Sequence, residues 1–502
     1  MRLLYIQEPL IQFGYEQKLE DPRDGLTLFG PLDQGRPYGI RIGVVGTADG
    51  VRRFKVWARR MQSPISSMPS TVAHPLFPGF EAAFLIPWAS EPALELEVCT
   101  ETLNRQLRLD DKYQRVFETV DLFVKPIATA LREEETTVDV WCVMIPDEVK
   151  TYCRPKSFVQ VDRRIVARSK LPFKYAKKLR NEPSLFKEDN IKARPYHYEV
   201  NFHNQLKAKL LEYNAPTQII RESTIIPEEF TDSQGRPKRD LSPMLSDIAW
   251  HLSTAFFYKA GGRPWKIGEV RENVCYIGLV FKQDVRYSDP RSACCAAQLF
   301  LDSGDGIVFK GDVGPWYNKK WGEFHLNRAA ARDLVRIAIE TYSEKRGSEP
   351  KELFLHGKVR FNDEEWSGFR DGVGSSTNLV GVRIRDSDDI KLYSKLDHPV
   401  LRGHALVVDE HTAYLWTKGF VPRLQTYPGR EVPRPLLVEV CRGTALIETV
   451  LKDILILTKL NYNACRFADG YPVTLKFADA VGEILTAGPL ERVPPLPFRH
   501  YI

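Results

Sequence analysis

Residues 202–223, "FHNQLKAKLLEYNAPTQIIRES", read as an amphipathic helix that stops near Pro216 and runs into a strand. Phe202, Leu206 and Leu210 recur at helical spacing and make one apolar stripe. His203 and Lys207, four residues apart, stand one above the other on a neighbouring face. An imidazole and an ammonium group beside a stripe that must bury either decorate a surface or face a ligand. The rest of the chain has to decide between these readings.

Toward the N-terminus, "YGIRIGVVG" (38–46) predicts a strand and "DGVRRFKVWARRMQ" (49–62) a helix started by Asp49. "FEAAFLIPW" (80–88) reads as another short strand. Residues 109–133 read as a long amphipathic helix, and "VDVWCVMIP" (138–146) as a buried strand. Strands alternating with helices predict a mostly parallel α/β sheet, whose ligands sit beyond the carboxyl ends of its strands.

The second half has another order. "NVCYIGLVFKQ" (273–283), "SACCAAQLFLDS" (292–303) and "DGIVFKGDV" (305–313) are three successive strands. A helix (327–347), the strand "KELFLHGKV" (351–359), four further strands between 378 and 443 and two closing helices follow. Three strands, a helix, a strand and a later helix is the order of an RNase H-like fold. The expected organisation is an N-terminal segment at 1–35, a Rossmann-like domain at 36–250 and an RNase H-like domain at 251–502, divided near "LSPMLSDIAWHLSTAFFYKAGGRPW" (241–265).

The composition is that of an ordinary globular chain: 502 residues, 43% hydrophobic, 27% charged, with a formal charge of +6. That length suggests two or three domains. The charge is concentrated. Residues 150–194 carry fourteen Lys and Arg side chains, well in excess of the acids, interleaved with Tyr152, Phe158, Phe173, Tyr175, Phe186, Tyr196 and Tyr198. Cations neutralise phosphates and rings offer stacking faces, so this composition suits a nucleic-acid groove as well as a solvated basic loop. The eight cysteines form no CxxC pair, which fits reduced thiols in a cytoplasm. No apolar run approaches membrane-spanning length, and the N-terminus does not read as a signal peptide. A P-loop, a GxGxxG after a strand, GxSxG and zinc spacing are all missing from the sequence.

Taken together, "DPRDGLTLFGP" (21–31), the opening helix, "FYKAGGRPW" (257–265), "YIGLV" (276–280), "LTKLNYN" (457–463) and "YPVTLKFAD" (471–479) resemble the MID–PIWI half of an Argonaute, specifically a short prokaryotic Argonaute. The resemblance runs over essentially the whole chain. It implies that His203, Lys207, Gln218 and Lys259 hold the 5′ phosphate of a guide strand, with the lysines supplying charge, Gln218 an amide donor and His203 a stacking face or a hydrogen bond. It further implies that the proline-stiffened tail "VPPLPFRHYI" docks, bringing the Ile502 carboxylate near the guide 5′ end, where relatives bind Mg²⁺.

Slicing members of the family hold two divalent ions on clustered carboxylates. The resemblance places those positions at Val280, His356 and Asp479, so only one carboxylate remains. The implied protein is therefore not an enzyme but a guide-RNA-binding sensor of complementary single-stranded DNA from plasmid or phage. It would work in the cytoplasm with an APAZ-containing effector partner, TIR or sirtuin-like and an NADase, whose activation arrests the cell. Two other readings stay open: a guided nuclease with a rearranged metal site around Asp479, and a regulatory interaction protein that uses no guide.

Overall fold

The computed structural model describes every residue except 70, 134–136, 168, 270, 284–292, 302–305, 315–316, 319–321, 428, 430 and 490–495. The chain is an α/β protein, with a Rossmann-like MID fold followed by an RNase H-like PIWI fold.

The first sheet contains β1 (Ile42–Gly46), β2 (Leu94–Glu97), β3 (Val140–Ile145) and β4 (Thr217–Arg221), in the order β2-β1-β3-β4. All three pairings are parallel. β1 and β3 are buried along their whole length, as central strands covered by helices on both faces should be. Helix α1 (Ala48–Arg60) follows β1, and α2 (Lys112–Glu133) precedes β3. Helix α3 (Phe202–Leu211) is capped by the Asn201 side chain and lays Phe202, Leu206 and Leu210 into one core with Val116, Val120 and Phe123 of α2. Each such side chain stabilises by roughly 1.5–3 kcal/mol on burial. This packing fixes the azimuth of α3, and with it the direction of Lys207. Helix α4 (Leu245–Lys259) then leads out of this half of the chain.

Two local expectations fail. Residues 80–84 form a helical turn, Phe80–Phe84, not a strand. Gly79 turns the chain at φ +102°, Ala82 and Ala83 favour helix, and the Glu81 carboxylate accepts the Trp88 amide, closing a compact loop. The second strand of the sheet is instead β2, whose short "LELE" alternation lies at the sheet edge. Helix α1 begins after Thr47, not at Asp49, because the Thr47 hydroxyl accepts from Gly50 N.

The second sheet has ten strands. Its RNase H-like centre is β5 (Val274–Gln283), β6 (Ala293–Leu301), β7 (Gly306–Gly314), β8 (Glu352–Gly357) and β9 (Asn378–Asp386), ordered β7-β6-β5-β8-β9. β8 lies parallel to both β5 and β9, whereas β5, β6 and β7 run antiparallel. α5 (Arg328–Arg346) makes the crossover between β7 and β8. The strands His404–Val407, Thr412–Leu415 and Leu436–Arg442 extend the sheet, and Arg2–Tyr5 from the start of the chain adds its outermost strand.

The quoted motifs meet as a clamp. Trp265 Nε1 donates to Lys459 O (3.0 Å), and Tyr462 Oη donates to Trp265 O (2.8 Å). Lys459 Nζ in turn reaches Glu8 (2.7 Å) and the Glu20 carbonyl (2.8 Å). "FYKAGGRPW" and "LTKLNYN" are thus joined through the Lys459 carbonyl and the Tyr462 hydroxyl, and the buried Lys459 ammonium group ties the N-terminal segment to them. No described helix is long and apolar enough to cross a membrane.

At the centre of the second sheet, Gly278 of β5 faces His356 of β8, and a methyl group on Gly278 would overlap the Thr474 carbonyl. Gly278→Ala is therefore expected to destabilise the protein by about 1–3 kcal/mol, read as a lowered denaturant midpoint with an unchanged slope.

Candidate guide-end binding site

The carboxyl end of α4 and the start of β4 meet α3 and the chain's last residues. Lys207 projects from α3 and Lys259 is the last residue of α4; they are 2% and 1% exposed. Both donate to one main-chain oxygen, that of Thr217, at 3.2 and 2.9 Å. Lys259 Nζ also donates to Gln218 Oε1 (2.6 Å), and Lys207 Nζ to the main-chain oxygen of Ile502 (2.6 Å). The structure therefore brings Lys207, Gln218, Lys259 and Ile502 into one bonded cluster. The terminal turn is docked, with Tyr501 and Ile502 buried.

Two ammonium groups sharing an oxygen lie no more than about 6 Å apart, where like charges repel by roughly 3 kcal/mol at an effective dielectric of 20. Among the described residues no side-chain carboxylate bonds to either of them. Burial pushes Lys207 down to about 7, and burial reinforced by Lys207 holds Lys259 well below the usual lysine range. For Lys207 this is a penalty on the order of 5 kcal/mol on the charged form. Electrostatically, such a cluster has the capacity to accept an anion.

His203 sits one turn before Lys207. Burial and the neighbouring lysine lower its pKa to about 4, so the ring is neutral near pH 7. Its Nδ1 lies 3.0 Å from Asn204 Oδ1. The Asn204 amide is oriented by donation from Nδ2 to Glu199 (3.0 Å) and Glu483 (3.4 Å), which leaves Oδ1 facing the ring as acceptor. The neutral ring thus carries its proton on Nδ1 and presents a lone pair at Nε2. It cannot donate to a phosphate in this state, which favours the stacking role.

The pocket also contains groups the sequence reading did not select. The turn Phe498–His500 places Arg499 Nε and His500 Nδ1 among buried atoms, and neither has a hydrogen-bond partner among the described residues. Lys207 and Arg499 help burial to lower His500 to about 4. The Thr217 carbonyl, the hub of the cluster, has no sequence signal because any residue could supply it. The basic region 150–194 forms the short helices Phe173–Asn181 and Lys187–Ala193 with intervening loops. Lys170 pairs with Asp110 (2.5 Å) and Lys178 with Glu182 (3.4 Å), while Arg154, Lys156 and Lys174 are exposed, as are Phe158 and Phe186.

The RNase H-like centre is different. His356 is 1% exposed, its Nδ1 lies 2.9 Å from Thr474 Oγ1, and burial lowers it to about 3. Its Nε2 is buried without a partner among the described residues. Val280 lies in β5 and Asp479 in the helix Ala478–Thr486, but their side chains fall outside the described residues. Among the described residues no group of three His, Cys, Asp or Glu side chains could hold a metal.

Several solved structures share this fold. Clostridium butyricum Argonaute, bound to a guide DNA and a 19-mer target DNA, matches with a TM-score of 0.60 at 14% identity over 97% of this chain and 53% of that one. Drosophila Piwi matches at 0.57 and 13% identity over 100% and 56%, and A. aeolicus Argonaute at 0.53 and 14% over 98% and 53%. The fold is that of Argonaute MID–PIWI. The chain spans about half the length of these Argonautes. No protein-family model and no curated protein sequence matches it.

The buried lysines make a signed pH prediction. An unfolded chain keeps Lys207 near its ordinary value of 10.5, so between about pH 7 and 10.5 it binds more protons than the folded protein. The unliganded protein should therefore become more stable as pH rises from 7 toward 10, all else equal. A bound phosphate restores the lysine charge, and thermal unfolding with a 5′-phosphorylated oligonucleotide should show this rise reduced or reversed.

Proposed function

We propose that this chain is the guide-binding, catalytically silent subunit of a prokaryotic defence complex, and that Lys207, Gln218 and Lys259 grip the 5′ phosphate of a guide RNA while His203, beside them, offers a stacking face. The observation that carries the reading is the pair of buried ammonium groups converging on the Thr217 carbonyl with no side-chain carboxylate between them. A terminal phosphate carries nearly two negative charges and several acceptor oxygens, which matches the cluster in charge and in number of donors. The Mg²⁺ that the resemblance implies fits less well. The oxygens at hand, on Thr217, Gln218 and Ile502, already accept from ammonium groups, so the lysines stand where a divalent ion would neutralise the phosphate.

With the end of the guide held, base pairing reads a complementary single-stranded DNA, and the protein need only follow the backbone. His356, neutral and packed against Thr474, is a poor partner for a hard cation, which supports a subunit that senses without cutting. The response would then come from an APAZ-containing effector partner, a TIR or sirtuin-like NADase, acting in the cytoplasm.

Replacing both lysines with methionine separates this role from a structural one. Lys207→Met with Lys259→Met removes both ammonium groups while keeping side-chain volume; because the Thr217, Gln218 and Ile502 oxygens lose their donors, a thermal-unfolding measurement of the variant accompanies the binding assay and establishes that it is folded. Its affinity for 5′-phosphorylated RNA should fall by about a hundredfold or more. Unchanged affinity would remove the pocket from guide binding. In a separate assay, a guide-loaded protein given complementary DNA and Mn²⁺ should leave the DNA intact; cleavage that disappears in Asp479→Ala would contradict the silent reading.

A further inference from the structure

Of the 22 large hydrophobic side chains that stand exposed among the described residues, eight fall between Phe158 and Ile191. Single exposed apolar residues need no explanation, but a concentration in one short segment does. Two of the eight are at the turn joining the helices Phe173–Asn181 and Lys187–Ala193, where Leu185 is 99% exposed and Phe186 74%. This turn is fixed by its own hydrogen bonds. Ser184 N donates to Asn190 Oδ1 (2.9 Å), Asn190 Nδ2 to Ser184 O (2.8 Å) and Phe186 N to Ser184 Oγ (3.1 Å). On the inner side the same helices bury Ala176, Leu179 and Ala193 against Tyr196, whose hydroxyl donates to Asp111 (2.9 Å). The hairpin thus uses one set of apolar residues for a small core of its own and projects a second set into water. Cations flank the projection. Residues 173–194 carry seven Lys and Arg against three Asp and Glu; Lys187 follows Phe186, and Lys192 follows Ile191, itself 63% exposed.

We propose that this helical hairpin anchors the protein to the surface of an anionic phospholipid bilayer, with Leu185 and Phe186 entering the acyl boundary and Lys187 and Lys192 lying among the headgroup phosphates. Charge complementarity selects an acidic surface, and side-chain chemistry selects lipid over nucleic acid. Leu185 and Ile191 are aliphatic and have no ring to stack on a base, whereas an acyl boundary accepts them as readily as it accepts Phe186. Apolar residues here alternate with lysines along the chain, and do not form the contiguous patch that a protein partner would cover. At a lipid interface that alternation is satisfied, because each lysine keeps its ammonium group in the headgroup layer while its neighbour inserts. The anchor lies on the bilayer without crossing it, and it is independent of the guide-end cluster.

The test is co-flotation of the full-length protein with vesicles of phosphatidylcholine alone, or of phosphatidylcholine with phosphatidylglycerol at about a third of the lipid. The parent is compared with Leu185→Ser/Phe186→Ser and with Lys187→Gln/Lys192→Gln, and thermal unfolding establishes that each variant is folded. The parent should float with the anionic vesicles and much less with the neutral ones. Each double variant should lose about tenfold or more in partitioning. Part of the parent's binding should survive high salt, since apolar insertion is not screened. Absence of flotation refutes the anchor. Flotation of the serine variant equal to that of the parent also refutes it, since adsorption would then rest on charge alone. Equal flotation of the parent with neutral vesicles contradicts the anionic preference. If the parent ignores both vesicles while the serine variant loses affinity for a 5′-hydroxyl RNA, the surface belongs to nucleic acid and the proposal falls.

Discussion

Lys207 and Lys259 donate to the same main-chain oxygen in a place from which water is excluded. That arrangement is unfavourable for the empty protein, and much of the surrounding structure exists to enforce it. Helix α3 cannot rotate Lys207 outward without withdrawing Phe202, Leu206 and Leu210 from the core against α2. Lys259 is held at the end of a helix whose buried face includes Trp250, Phe256 and Phe257. The docked end of the chain closes the remaining side through Ile502. The cluster is thus held in place by elements from both halves of the molecule.

The second buried lysine system does the opposite job. Lys459 is as inaccessible as Lys207, yet it meets Glu8, which Arg402 also binds at 2.9 Å. Those two cations hold the Glu8 carboxyl below its usual range despite its burial. Here a charge is matched inside the protein and serves to fasten the N-terminal segment to the second sheet. Lys459 thus has a side-chain carboxylate as its partner, whereas among the described residues Lys207 and Lys259 have none.

Much of this was legible in the sequence, for physical reasons. The i, i+4 spacing of His203 and Lys207 beside an apolar stripe fixed which way both would point, because burial of the stripe leaves one orientation. The strand order of the second half followed from buried runs separated by turns. Short edges were not legible: "LELE" is too brief and too charged to stand out, and "FEAAFLIPW" is apolar enough to pass for a strand until Gly79 and the Glu81–Trp88 bond close it into a turn. The Thr217 carbonyl was out of reach, since it belongs to the backbone and any residue could supply it.

The account depends on the lysine cluster recognising a terminal phosphate. The direct measurement is the affinity of the protein for one RNA sequence carrying a 5′ phosphate or a 5′ hydroxyl, with the corresponding DNA pair alongside. The two buried lysines, to which no side-chain carboxylate bonds among the described residues, predict a large loss of affinity when the phosphate is removed. Equal binding of the phosphorylated and hydroxyl strands would contradict the account and leave the basic surface as a groove without end recognition.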